Sequence, residues 1–248
     1  MSSLQQSEST DVTLDVWHAP ADSERRGPFE KECEKCLAAD ELRDADRFRL
    51  VRSRNQHVVG RAMARRLLCT EEFAPQAIRF GIGAHGKPQV EYPESVRRPF
   101  NIAHTDGMVL CGVASEGVDS VGVDVESLHR RTTTEVADRY FALPEIEFLR
   151  TRPAEQQKFY FLKIWTLKEA FIKAIGTGLH TPLADFAFES IESDQPTIRF
   201  LDPKLDNGQT WLFVCKQPSE GFIASAAVAT KKRSATASVT WNPFELFR

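Results

Sequence analysis

The pattern of apolar and polar positions predicts a long helix from Gln156 to Ile175, ended by Gly176. One face of this helix is apolar except for a carboxylate and an ammonium one turn apart, Glu169 and Lys173. Most of the remaining perimeter is apolar too, so we expect a largely buried helix. Burying a carboxylate is costly unless a cation meets it. Glu169 and Lys173 therefore form either a structural ion pair or part of a functional site.

The rest of the chain alternates between strand and helix patterns. Strands are predicted at residues 11–18, 77–85, 100–105, 108–114, 121–126, 186–189, 197–201, 211–216 and 222–229. A helix is predicted from residue 40 to about 69, and helical segments around 135–150. Asp106-Gly107 is a strong hairpin signal. The polar segment 231–240 is expected to be loose, while the last apolar residues pack back on the body.

The order of these elements indicates a weak internal repeat. Each half opens with a strand, passes through helix and closes with further strands, and Asp15 and Asp124 take equivalent places. The predicted fold class is therefore α+β, with two similar halves related by a pseudo-two-fold axis. Each half has an antiparallel sheet with a helix. We expect an N-terminal half at residues 1–118 and a C-terminal half at 119–248, with a site between them.

Composition and charge narrow the class of protein. The 248 residues are 42% hydrophobic and 27% charged, which suits a soluble globular protein. No apolar run is long enough to span a membrane, and the N-terminus, expected to be a frayed tail, lacks the pattern of a signal peptide. Five cysteines, an odd number, favour a reduced cytoplasmic compartment. The net charge of −3 argues against a general nucleic-acid binder.

Positive charge is nevertheless concentrated in one segment. Eight arginines lie between Arg43 and Arg66, against two aspartates. Such a run is typical of a solvated helix face. It is also suited to the wall of a site for a polyanionic small molecule. The sequence pattern leaves both interpretations open.

A second group of acidic residues lies on the strand at 121–126. Asp124 and Glu126 point to the same side, away from the valines. They form either a solvated acidic edge or, together with Glu169, a set of oxygen ligands. Such a set suits a magnesium ion that also holds phosphate oxygens, and Lys173 would point at the same phosphates.

A third group lies upstream of these acids. Gly86-Lys87-Pro88 is a turn in which backbone and ammonium can approach an anion. His104 ends the strand that begins with Phe100-Asn101 and either binds a phosphate or caps the hairpin.

The motifs GKP, FNIAH, VGVDVE and WTLKEAFIKAIGTGL follow one another between residues 86 and 179. In this order and spacing the chain resembles the 4′-phosphopantetheinyl transferases of the larger, Sfp-type branch. The resemblance extends more loosely to the arginine-rich helix. It implies two fused α+β halves and transfer of 4′-phosphopantetheine from coenzyme A to a serine of an apo acyl or peptidyl carrier protein. It further implies dependence on magnesium, with release of adenosine 3′,5′-bisphosphate.

The resemblance also assigns roles to individual residues of this chain. It implies magnesium ligands at Asp124, Glu126 and Glu169, and a phosphate-binding and catalytic lysine at Lys173. The proton of the carrier serine would pass either to Glu145 as general base or to a metal-bound hydroxide. Coenzyme A binding is implied for Gly86, Lys87, Asn101, His104, Arg43, Arg47, Arg52 and Arg61. Ala103 stands where the family often has a serine, so one hydroxyl contact to coenzyme A is lost unless Thr105, a further candidate for coenzyme A binding, replaces it.

The sequence therefore predicts a cytoplasmic, monomeric transferase that acts without nucleic acid or membrane. One rival is a metal-dependent pyrophosphatase that cleaves coenzyme A or nucleotides with water as the acceptor. A second rival is a binding module that senses coenzyme A or docks carrier proteins. A third is an α+β protein with incidental acidic faces. The sequence leaves open whether the carrier serves fatty-acid, polyketide or nonribosomal peptide synthesis.

Overall fold

The chain folds around two long helices, α3 (Val51–Leu68) and α6 (Ala154–Ile175), each packed on its own sheet. The computed structural model describes residues 11–83, 86–132, 134–231 and 236–246. The predicted frayed N-terminus lies outside these residues. The shorter helices are α1 (Pro28–Glu34), α2 (Ala39–Ala45), α4 (Ala137–Tyr140) and α5 (Leu143–Arg150). The strands are β1 (Val12–Pro20), β2 (Arg79–Ile82), β3 (Pro88–Tyr92), β4 (Phe100–Thr105), β5 (Met108–Ala114), β6 (Ser120–Ser127), β7 (Phe186–Glu189), β8 (Thr197–Phe200), β9 (Thr210–Lys216), β10 (Phe222–Thr230) and β11 (Ala237–Pro243).

Both halves use the same order of elements. Each has a first strand, a long helix, a small two-stranded hairpin and then a pair of antiparallel strands. The first sheet has the order β11-β1-β5-β4 and the second has the order β6-β10-β9. The second strand of each antiparallel pair, β5 or β10, therefore lies between two other strands of its sheet. The α+β fold class is confirmed, and the topology bears the internal repeat that the sequence indicates.

The two sheets face each other across a shared apolar core. Val121, Val123 and Val125 of β6 lie in this core with Leu14 and Val16 of β1. Helix α3 covers the outer face of the first sheet, and α6 covers that of the second. Because side chains alternate along a strand, the side of β6 opposite the valines is turned towards α6. Asp124 and Glu126 are on that side.

Strands β4 and β6 meet where the two halves join. The side-chain oxygen of Asn101 on β4 accepts a hydrogen bond from the backbone N–H of Val123 on β6 at 2.9 Å. Asn101 is buried, so this bond satisfies a peptide group that has no strand partner on that edge. This hydrogen bond therefore holds β4 and β6 side by side.

Two expectations about the elements are wrong. The helix predicted at 40–69 is broken between α2 and α3. In this arrangement α2 places Glu41 against Arg65 of α3, whose Nε lies 2.7 Å from the carboxylate. Residues 237–240 of the segment expected to be loose instead form the start of β11, which pairs parallel with β1 from Val12↔Ala237 to His18↔Pro243. The unpaired edge of β1 accounts for this pairing. Residues 232–235 of that segment lie outside the described residues.

The pairing of β11 also joins the end of the chain to the first sheet. Residue 118 lies between β5, which ends at Ala114, and β6, which begins at Ser120. Phe244 and Leu246, however, belong to the apolar core of the first half. The C-terminal half therefore gives its last strand to the N-terminal half. Among the helices that the structure describes, none is both long and apolar enough to cross a membrane.

Candidate functional site

Helix α6 lies unusually close to β6, and a glycine makes this possible. A Cβ atom at Gly122 would stand 2.0 Å from the carbonyl oxygen of Ala170. At the end of α6, Gly176 adopts a left-handed backbone with φ 71° and closes the helix. The helix predicted to end at Ile175 is confirmed. Its close approach brings the polar pair on α6 over the acidic side of β6.

The acidic and basic groups of the two elements meet at this contact. The ammonium of Lys173 lies 2.6 Å from Oδ1 of Asp124, whose side chain is 9% exposed. Glu126 is also buried, and its Oε2 accepts a hydrogen bond from the hydroxyl of Thr105 at 3.4 Å. The interpretation of Asp124 and Glu126 as a solvated acidic edge is therefore wrong.

Burial and mutual repulsion disfavour the charged forms of these carboxylates. Burial raises the pKa of Asp124, and the nearby Lys173 opposes this rise. Burial, and then the charge of Asp124, raise the pKa of both Glu126 and Glu169. His104 lies within reach of the same charges: desolvation and then Lys173 lower the pKa of its ring. The three predicted metal ligands therefore lie close to one another. Lys173, His104 and Thr105 are their neighbours.

This cluster matches magnesium in the chemistry of its donors. Oδ2 of Asp124 is buried without a hydrogen-bond partner, and such an oxygen is suited to a cation. Among the described residues, no three histidine, cysteine, aspartate or glutamate side chains are already gathered closely enough to hold a metal ion. Cationic side chains of the protein contact two of these carboxylates. Lys173 forms an ion pair with Asp124, and Arg130 forms one with Glu126.

Two cavities open beside this cluster, and His104 lies in the wall of both. The larger has a volume of about 640 Å³ and borders Glu126. Its cationic and histidine wall residues are Arg52, His104, His129, Arg130 and Arg131. The smaller, of about 310 Å³, lies between α3 and β4. We call them the acidic-side cavity and the helix-side cavity.

The helix-side cavity contains polar groups that lack partners within the protein. Nη1 of Arg61 is buried and has no hydrogen-bond acceptor. Nε2 of His57 is also buried and has no hydrogen-bond partner. Burial and the charge of Arg61 lower the pKa of His57. Phe48, 44% exposed, and Ile102 contribute apolar surface to the same wall. An apolar wall with unpaired donors suits a flat ring that carries an anionic group.

The chain is similar in sequence to known 4′-phosphopantetheinyl transferases. Residues 120–228 match the model of the 4′-phosphopantetheinyl transferase superfamily. The 4′-phosphopantetheinyl transferase HetI of Nostoc sp. is 30% identical over 198 residues, 78% of this chain and 78% of the relative. The 4′-phosphopantetheinyl transferase psf-1 of Bacillus pumilus is 31% identical, covering 64% of this chain and 66% of the relative. The 4′-phosphopantetheinyl transferase Sfp of Bacillus subtilis is 33% identical, covering 50% of this chain and 53% of the relative.

This chain belongs to the 4′-phosphopantetheinyl transferase superfamily. The family resemblance read from the sequence motifs is thereby confirmed. The matched region contains β6, α5 and α6, so it includes the acidic cluster.

Glu145 lies in a different environment from the cluster. Its side chain and that of Lys168 are both 0% exposed, and the two form an ion pair at 2.8 Å. The carboxylate also accepts hydrogen bonds from the backbone N–H groups of Phe188 and Ala142. Burial raises its pKa, and Lys168 opposes that rise. An enclosed carboxylate with three donors cannot contact a serine of another protein, so the expected role of general base does not fit this structure.

Lys87 reaches the cluster from the other half, but its ammonium points at backbone oxygens. It donates to the carbonyls of Val121 at 2.8 Å and Lys173 at 2.9 Å. The second of these belongs to the last turn of α6, where the helix dipole favours a cation. Burial lowers the pKa of Lys87 to about 8. In this structure Lys87 joins the two halves and does not face either cavity.

The other predicted ligands of coenzyme A fall into two groups. Arg52 and Arg61 line the cavities, whereas Arg43 and Arg47 are exposed outside both cavity walls. Arg47 pairs with Asp44 at 2.9 Å, in agreement with a solvated helix face there. Gly86 is exposed with φ 82°, which explains a glycine at the turn but places no group in a cavity. Asn101 is used between the strands, as described above.

The motifs do not identify several residues of the cavity walls. His57, Gln56 and Arg131 contribute to these walls, and Arg130 reaches Glu126. A helical wheel of α3 would group Ser53, Gln56 and Gly60 on one face. No local pattern identifies Arg130, because its contact depends on how the turn after β6 folds back.

Proposed function

We propose that the chain transfers 4′-phosphopantetheine from coenzyme A to a serine of an apo acyl or peptidyl carrier protein. The observation that carries this proposal is the acidic cluster on β6 and α6 beside a cavity with a basic wall. Membership of the superfamily supports it. A polyanionic substrate suits the arginines, and the carboxylates suit the metal that such a substrate requires.

In this proposal Asp124, Glu126 and Glu169 hold a magnesium ion. When bound, magnesium would neutralise charge on the pyrophosphate of coenzyme A. Lys173 leaves Asp124 for a phosphate oxygen, and His104 and Thr105 bind the same substrate from β4. Arg61 and His57 hold the 3′-phosphate end in the helix-side cavity. Arg52 contacts phosphate from the acidic-side cavity.

The reaction joins the serine Oγ to the β-phosphorus and breaks the bond between that phosphorus and adenosine 3′,5′-bisphosphate. The hydroxyl proton passes to a base other than Glu145 and on to solvent. Most of the rate arises from positioning and charge neutralisation, because phosphoryl transfer asks little covalent work of the protein. We further propose that the enzyme is a cytoplasmic monomer whose two halves, rather than two chains, form the site.

Mass spectrometry of an apo carrier protein tests the proposal. With coenzyme A and magnesium, the carrier should gain the mass of phosphopantetheine, and Asp124→Asn should abolish the gain while the protein stays folded. Omitting the carrier separates transfer from hydrolysis. Cleavage of coenzyme A at the same rate without a carrier would replace this proposal with that of a pyrophosphatase.

A further inference from the structure

Arg130 connects three parts of the candidate site. It follows β6 in a turn, where its backbone N–H donates to the carbonyl of Ser127 at 3.0 Å. The side chain folds back, and Nη1 donates to Oε1 of Glu126. Its guanidinium also lies 5.9 Å from the ring centroid of Trp165 on α6. Trp165 is one turn before Glu169, so Arg130 fills the space between the acidic strand and the helix.

The guanidinium of Arg130 occupies a carboxylate oxygen of Glu126 that a metal bound to Glu126 would need. A guanidinium carries one delocalised charge, whereas a divalent cation brings two to the same carboxylate. The side chain of Arg130 is 44% exposed and lines the acidic-side cavity with Arg52 and Arg131. It can therefore leave Glu126 without being pulled from an apolar environment, and it remains beside the space that an anionic substrate would fill.

We propose that Arg130 is a positioning residue that exchanges partners: it holds Glu126 before metal binds, and then moves to the phosphates of the substrate. This inference rests on the magnesium site of the proposed function. The exchange keeps Glu126 neutralised and oriented in the free enzyme. It also links entry of the metal to the appearance of a phosphate-binding guanidinium in the cavity.

A titration with MgCl₂ alone, without coenzyme A or carrier, tests the first half of the exchange. Because the metal must displace Arg130, Arg130→Gln should bind magnesium about two- to fivefold more tightly than the wild type, the ratio expected for a partly exposed ion pair. Arg131→Gln is the matched control, since it removes a charge from the same cavity wall without breaking the contact with Glu126. Arg131→Gln should give less than half of this gain.

Trp165 supplies a spectroscopic signature of the movement. Its fluorescence should change saturably with magnesium in the wild type, and the change should be much smaller in Arg130→Gln. Trp165→Phe identifies the signal among the four tryptophans. Arg130→Lys keeps a competing charge and should bind magnesium like the wild type, which excludes a general effect of misfolding.

Binding of coenzyme A at saturating magnesium tests the second half. Arg130→Gln should lose about fivefold or more in affinity, as expected for a lost charge-assisted hydrogen bond. Unchanged or weaker magnesium binding by Arg130→Gln, or an equal gain in Arg131→Gln, would overturn the exchange. The titration with MgCl₂ needs no carrier protein. If Arg130→Gln binds magnesium more tightly as expected but the wild type does not transfer phosphopantetheine, the proposed function is refuted and the exchange is not.

Discussion

The buried pair of Glu145 and Lys168 allows the base hypothesis to be tested against the structure. Replacing Glu145 by glutamine keeps the shape but substitutes an N–H donor for one acceptor oxygen. The carboxylate now faces three donors: Lys168 at 2.8 Å, Phe188 N at 2.9 Å and Ala142 N at 3.0 Å. A glutamine cannot accept from all three. Lys168 would keep only the carbonyl oxygens of Leu183 and Phe186, both at 2.7 Å, and would lose its counter-charge.

The expected loss of stability is large because the charge left behind is fully buried. Removing one partner of a buried ion pair costs about 3–5 kcal/mol of unfolding free energy. At about 2–4 °C per kcal/mol for a chain of this size, the melting temperature should fall by about 6–20 °C. A general base, in contrast, would lose about a hundred- to ten-thousand-fold in rate at an unchanged melting temperature.

Thermal melts and urea titrations of Glu145→Gln should be read beside transfer rates measured well below the melting temperature. Glu147→Gln, an exposed glutamate on the same helix, is the matched control and should leave the melting temperature unchanged. Adding Lys168→Met to Glu145→Gln removes the unpaired ammonium and should recover part of the loss. A Glu145→Gln variant that melts like the wild type yet has lost transfer would refute the structural role.

Three further expectations concern the contacts that assemble the site. Gly122→Ala places a Cβ atom 2.0 Å from the carbonyl oxygen of Ala170. Urea titration should show a loss of about 1–3 kcal/mol in the free energy of unfolding, and transfer should be slower because α6 moves away from β6. Wild-type stability of this variant would contradict the close contact. Lys87 has a folded pKa of about 8, below its unfolded value of 10.5, so the unfolded chain binds more protons between these values. The unfolding free energy of the wild type relative to Lys87→Met should therefore rise from pH 7.5 to 9.5, and a constant difference would show that Lys87 is not desolvated. If Arg61 holds the 3′-phosphate, removing that phosphate from coenzyme A should cost the wild type about 1–3 kcal/mol of binding but Arg61→Gln much less; equal losses in calorimetry would place the phosphate elsewhere.

Local patterns in the sequence were sufficient for the elements that form the site. The spacing of apolar residues in α6 and the alternation in β6 follow from the geometry of a helix and a strand, which acts within a few residues. Gly176 and the Asp106-Gly107 turn are equally local signals, and the predicted ends of α6, β4 and β5 agree with the structure within two residues. The chemistry of Asp124, Glu126 and Glu169 as oxygen donors also follows from the residue types alone.

Only the tertiary structure decided what those side chains meet. Glu145 and Phe188 are far apart in the sequence, and nothing near Glu145 signals that Lys168 neutralises it inside the core. The Gly86-Lys87-Pro88 turn predicts Lys87 as a phosphate ligand. The packing of the two halves instead directs its ammonium to the carbonyl oxygen of Lys173. The polar residues at the start of β11 suggest a loose segment, but β11 pairs with the free edge of β1. Burial and pairing depend on residues that folding brings together, so a local pattern can propose a charged group but cannot say which partner will satisfy it.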